Sequence, residues 1–162
     1  MRIDMEYNGT VLSWHGTKFK ATSGMFGAQR ADFQSHPDHG PIPEGTYKLL
    51  AKDVGGVKSV NGDFVFREGI ETLPPNPLVI AAWGNIRVHL AIVHINRGDS
   101  SHRNGFYIHD SHKGFTHGCI EVESAFFTKL RAFAAKTGQK LFLGLKVAYA
   151  TPSTSTNGGT LF

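Results

Sequence analysis

The sixteen residues from Gly105 to Ile120 hold the chain's only cysteine, Cys119, and three of its nine histidines, His109, His112 and His117. A thiol of ordinary pKa is only a few per cent thiolate at neutral pH, so a nucleophilic cysteine needs a base or a positive charge beside it. Here histidines stand two, seven and ten residues before the cysteine. His109 ends a predicted strand, and the loop that follows can fold back to bring its imidazole beside Cys119. Gly118 lets backbone approach a substrate carbonyl closely. The amides around Gly118 and Cys119 would then bind the developing oxyanion, where one good donor is worth on the order of 3 kcal/mol. The pattern points to acyl transfer, with Cys119 as nucleophile and His109 as base.

Other readings of the same residue types compete with this one. A lone cysteine in a folded chain is commonly a small buried hydrophobe. Nine histidines also invite a metal site, built from His89 and His94 or from His109, His112 and His117. Strand residues five apart point to opposite faces, so His89 and His94 would not share an ion without a bulge. The chain has no His-Glu-x-x-His motif, and one cysteine cannot build the usual thiolate zinc clusters or a disulfide within the chain. A zinc-dependent hydrolase and a non-catalytic binding module stand as the alternatives. His15, His36, His39 and His102 read as ordinary surface residues.

The elements that must carry these residues are mostly strands. The chain of 162 residues is 40% hydrophobic and 19% charged, with 19 Gly and 7 Pro, which suits one β-rich domain with many turns. Asn8-Gly9 marks a hairpin over residues 4–14, and Phe19 to Ala21 a short strand. Residues 28–40 read as an irregular polar loop. The Gly40 to Tyr47 segment is a proline-fixed turn that feeds a strand from Tyr47 to Ala51. Asn61-Gly62 marks a second hairpin turn with Asp63 to Arg67 as its return. Three prolines make 73–77 a loop, after which Leu78 to Trp83 reads as a compact apolar strand. Alternation from Ile86 to about Ile95 predicts one half-buried strand. Phe126, Phe127, Leu130, Phe133 and Ala134 fall at helical spacing, with Ser124 to cap the start and Gly138 to end it. Lys140 to Tyr149 reads as the last strand. The Ser-, Thr- and Gly-rich stretch after Ala150 reads as a flexible tail, 151–162.

Net charge is +4 and the basic residues are scattered, with no run of five or more, so no nucleic-acid partner is expected. Residues 1–6 lack the apolar run of a cleavable signal peptide, and no stretch nears the roughly 18 apolar residues of a membrane span. The chain is therefore expected to be made in the cytoplasm and not inserted in a membrane.

Thr116-His117-Gly118-Cys119-Ile120, preceded by a strand ending in His109, resembles the signature of the L,D-transpeptidase catalytic domain. The Pro-x-Gly-x-aromatic core of Gly40 to Tyr47 is similar to an early turn and strand of those domains. The spacing of ten residues and the Phe19 to Gly24 segment resemble a compact branch, the L,D-transpeptidase-like effectors of bacterial type VI secretion. The resemblance covers roughly residues 5–148. It implies a mainly β, sandwich- or barrel-like catalytic domain over 1–150, with one substantial helix after the cysteine and no cofactor or metal. It also implies that Cys119 attacks the third residue of a peptidoglycan stem peptide. The thioester would be resolved by water, as an L,D-carboxypeptidase, or by a D-amino acid, as an exchange reaction. Asp110 or a backbone carbonyl would orient His109. His117, Thr116, Gly118, Ser23, Gly24 and Tyr47 would contact substrate. The implied setting is an antibacterial toxin acting in the periplasm of target bacteria, with a periplasmic immunity protein and a secretion carrier as partners. Two residues past the nucleophile this chain has Glu121, where many members carry Arg or Asn, so no role carries over to that position.

Overall fold

The computed structural model describes residues 1–137 and 141–161. Thirteen strands, named in chain order, make most of the fold among these residues. They are β1 (Met5–Tyr7), β2 (Val11–Trp14), β3 (Thr17–Ser23), β4 (Gly45–Leu50), β5 (Asp53–Gly56), β6 (Ser59–Val60), β7 (Asp63–Phe64), β8 (Ile70–Thr72), β9 (Ile86–His89), β10 (Ala91–Ile95), β11 (Tyr107–His109), β12 (Ile120–Val122) and β13 (Phe142–Val147). Two α-helices, α1 (Pro77–Trp83) and α2 (Ala125–Thr137), complete it. The architecture is mainly β with a substantial helix after Cys119, as the composition and patterning predict, and it is sandwich-like, as the resemblance implies.

Strand order is β10-β4-β13-β1-β2-β3-β12-β11-β9-β8-β5, with β6 and β7 pairing separately across the Asn61-Gly62 turn. The seven-residue β3 joins the two halves. Its first four residues pair with β2, and Ala21 to Ser23 pair with β12. Side chains from both halves meet in one core, including Tyr7, Leu12, Trp14, Tyr47, Val88, Ile108, Ile120 and Leu145. From α2, Phe126, Phe127 and Leu130 enter that core, with Phe126 set edge-on to Phe19 at 5.6 Å and near Trp14 at 6.0 Å. Each such side chain is worth roughly 1.5–3 kcal/mol of burial. The end assigned to this helix, Gly138, and Lys140 of the last expected strand lie outside the described residues.

Three expectations need correction. Leu78 to Trp83 is helical rather than extended. The Asn76 side chain accepts from the Leu78 amide at 2.9 Å, Pro77 occupies the first turn, and Gly84 at φ 82° closes the helix. Pro77, read with the other prolines as a strand breaker, is here the helix start, and a six-residue apolar run does not distinguish the two states. Second, the stretch Ile86 to Ile95 is two strands. The chain leaves one half of the fold at the buried Leu90, whose amide bonds the Phe106 carbonyl at 2.9 Å, and β10 joins β4 in the other half. His89 and His94 consequently belong to different halves. Third, the stretch after Ala150 is packed rather than loose. Thr156 and Thr160 are buried, the Thr156 hydroxyl donates to the Ser23 carbonyl at 2.6 Å, and the Ala31 amide donates to the Thr154 carbonyl at 2.9 Å. Its Thr156 and Thr160 hydroxyls satisfy buried acceptors, which holds the stretch against β3. Among the described residues no helix is long and apolar enough to cross a membrane.

Candidate active site

Strands β11 and β12 lie side by side in parallel, with Ile108 opposite Ile120 and His109 opposite Glu121. Continuing that register by one residue sets Cys119 beside Tyr107. Residues 107, 109 and 111 therefore face the same way as 119 and 121, because strand side chains alternate. The loop 110–119 returns the chain from the end of β11 to the start of β12, which brings the imidazole and the thiol together. His109 and Cys119 both line one cavity of about 310 Å³, together with Trp83, Phe106, Lys113, Thr116, His117, Asn104, Gly105, Ala82 and Asp38.

His109 is 2% exposed and its ring is held on two sides. Trp83, the last residue of α1, sets its ring at 5.4 Å and 72° to the imidazole. On the other side His109 Nδ1 lies 3.0 Å from Ser111 Oγ. The direction of that bond follows from the next one. The Ser111 hydroxyl donates its single proton to the Glu121 carboxylate, so Ser111 Oγ accepts from His109 Nδ1–H. Nε2 is then the unprotonated ring nitrogen, the form a general base requires. Glu121 is fully buried, and it also accepts from the Gly114 amide at 2.8 Å, the Lys113 amide at 3.2 Å and the Thr160 hydroxyl at 2.6 Å.

Desolvation dominates the electrostatics. Burial lowers His109 to about 3, with Lys113 and Arg87 adding repulsion of a second positive charge. Burial raises the Cys119 thiol to about 11, opposed by a backbone hydrogen bond with Tyr107 and by the charges of Lys113, Arg87 and Arg103. The resting pair is accordingly neutral thiol and neutral imidazole. The thiol points at the Gly105 carbonyl 3.9 Å away, a weak sulfur contact.

The orienting group expected at Asp110 is placed elsewhere. Asp110 Oδ1 accepts from the Asn85 and Ile86 amides at 2.7 and 3.1 Å, and Oδ2 accepts from the Ser124 hydroxyl at 3.3 Å. It ties the end of α1 to the residue before α2 and leaves His109 to Ser111 and Glu121. A side chain one residue along a strand faces away, as the alternation requires.

The residues expected to meet substrate divide in two. Thr116 and His117 line the cavity, whereas Ser23, Gly24, Tyr47 and Gly118 are not among its lining residues. Ser23 Oγ bridges the Ile42 amide at 2.8 Å and the Gly118 carbonyl at 3.2 Å. The Gly24 amide donates to Thr116 Oγ1 at 3.0 Å, and Tyr47 is buried with its hydroxyl on the Pro43 carbonyl at 2.6 Å. In the structure these residues hold the loops around the cavity. The Thr116 hydroxyl also accepts from the Gly118 amide at 3.1 Å and donates to the Cys119 carbonyl at 2.6 Å. The Gly118 amide is thus engaged within the loop and is not an open oxyanion donor. Gly118 itself has φ 127°, and a Cβ there would lie 2.5 Å from Arg103 Nη2. The buried Arg103 guanidinium donates to the carbonyls of Gln34, Pro41, Gly40 and His117, so glycine is needed to admit this brace. His117 is exposed and its Nδ1–H donates to the Asp38 carbonyl at 2.9 Å.

Ser111, Glu121, Arg103, Trp83, Lys113 and Thr160 are the site residues that reading the sequence left out. Ser111 had a signal, since it stands two residues after His109 on the same strand face. Glu121 and Thr160 had none, because their partners are set by strand register and by the course of the last residues. Among the described residues no three His, Cys, Asp or Glu side chains cluster as a metal site, and His15, His36, His39 and His102 are exposed. A scan against protein-family models finds no match to this chain, and a search of curated proteins finds none either.

Proposed function

We propose that the chain is a cysteine acyl-transfer enzyme that acts on peptidoglycan stem tetrapeptides. The observation that carries this reading is a thiol and a tautomer-fixed imidazole lining one cavity, with the imidazole backed by Ser111 and Glu121. The substrate class comes from the resemblance of the Thr116 to Ile120 and Gly40 to Tyr47 segments to L,D-transpeptidase domains.

Because both groups rest neutral, the proton moves as the bond forms. The Cys119 thiol proton passes to His109 Nε2 while sulfur attacks the carbonyl carbon of the third stem residue. The imidazolium then protonates the amine of D-alanine as the carbon–nitrogen bond breaks, leaving a thioester. Water, losing a proton to His109, releases the tripeptide acid and regenerates the thiol. A D-amino acid attacking in its place gives the exchanged tetrapeptide. Hydrolysis removes the tetrapeptide, and exchange replaces its terminal D-alanine. On this reading the protein is an antibacterial effector of type VI secretion, delivered into the periplasm and neutralised there by an immunity protein.

Purified tetrapeptide muropeptides supply the test. Wild-type protein is expected to release D-alanine, Cys119→Ala to release none while still binding wall, and alkylation but not chelation to stop the reaction. Release by Cys119→Ala sinks the nucleophile assignment, and loss on chelation alone points to a metal hydrolase.

A further inference from the structure

The residues that line the cavity include one carboxylate, Asp38, and one ammonium, Lys113. Among the described residues Lys113 is the only Lys or Arg that lines it, beside His109, Cys119 and His117. Arg103 lies behind, and its guanidinium is taken by four backbone carbonyls. Lys113 is held at its root, since its own amide and that of Gly114 both donate to Glu121. Its ammonium lies 4.9 Å from the Phe115 ring centroid, and among the described residues it makes no hydrogen bond or ion pair. Three ammonium protons in a half-buried setting are a strong donor set with no acceptor. Burial pushes the lysine down, and the nearby Glu121 charge only partly offsets this. Glu121 is itself occupied by four donors.

We propose that Lys113 recognises a carboxylate of the acyl donor and thereby sets which peptides Cys119 attacks. The inference rests on the acyl-transfer reading above and deepens it. A stem tetrapeptide carries two carboxylates near the scissile bond: the C-terminus of D-alanine, and the side-chain carboxylate where the third residue is a diaminodicarboxylic acid. Lys113 is a specificity residue for this shared chemistry, and Asp38, which lines the same cavity, suits the amine that accompanies such a group.

Three peptides separate the sources: the tetrapeptide acid with the diaminodicarboxylic residue, its C-terminal amide, and the acid with lysine at the third position. Release of D-alanine or D-alaninamide is followed with wild type, Lys113→Met and Lys113→Arg. Wild type is expected to favour the full acid over one analogue by about tenfold or more in kcat/KM, as one charge-assisted hydrogen bond provides. Lys113→Met is expected to lose that preference through KM, and Lys113→Arg to keep most of it. The analogue that wild type disfavours identifies the carboxylate. The proposal is overturned if wild type treats the three alike. It is also overturned if Lys113→Met keeps the wild-type ratios, or lowers kcat equally on all three as a lost field or a damaged loop would. No release by wild type from any peptide overturns the acyl-transfer reading itself, an outcome distinct from active wild type with unchanged ratios.

Discussion

His109 can take a proton only at a bare nitrogen, and the Ser111–Glu121 chain decides which nitrogen is bare. Removing the serine hydroxyl frees the imidazole to rotate and to adopt the other tautomer. Ser111→Ala is therefore expected to lower kcat by roughly 10²-fold, within the range of general-base contributions, with KM little changed. Steady-state D-alanine release measures it, and kcat equal to wild type would remove Ser111 from the chain. The neutral resting state has its own signature. With burial holding the thiol near 11 and the imidazole near 3, iodoacetamide alkylation of Cys119 should climb with pH past 9. A rate that levels off between pH 5 and 8 would instead report a preformed thiolate–imidazolium pair.

At the scale of elements, the last residues act as a strap on the site. The Thr160 hydroxyl donates to Glu121 Oε1 and lies 2.8 Å from Thr22 Oγ1 on β3, so the strap joins β3 to the carboxylate behind Ser111 and His109. Thr160→Val keeps the shape and removes the donor, which should cost about 1–3 kcal/mol for one buried acceptor left short. Urea unfolding checks this, and an unchanged midpoint would mean the strap is dispensable. Helix α1 contributes through Trp83, which also stacks on the Arg87 guanidinium at 4.7 Å. Arg87 is paired with the buried Glu71 at 3.1 Å, so an ion pair and a ring together fix the wall of the cavity on which His109 rests.

For the whole molecule, the buried His109 imidazole links the site to global stability. In the unfolded chain His109 titrates near its ordinary value of 6.5, and in the folded chain near 3. Between these values the unfolded state binds the extra proton, so stability is full above pH 6.5 and falls as pH drops towards 3. Denaturation midpoints at pH 7, 5.5 and 4 should decline, and they should decline less in His109→Asn. Equal slopes for the two proteins would show that His109 is not buried in its neutral form.

Much of this molecule can be read before it folds. The Asn8-Gly9 and Asn61-Gly62 turns and the helical spacing of Phe126, Phe127 and Leu130 act over a few residues, so local patterning is enough to place them. The pairing of His109 with Cys119 is legible for the same reason, since ten residues and two strand ends bound the loop between them. What sequence did not determine lies across longer separations. The choice of Glu121 over Asp110 behind His109 depends on the parallel register of β11 and β12. The break at Leu90 depends on which half of the fold each strand joins, and the packed Thr156 and Thr160 depend on donors and acceptors more than a hundred residues away at β3. Spacing reports only what neighbours in sequence can do. Register and burial arise from packing, and they turned a lone cysteine and a histidine into a neutral, braced pair.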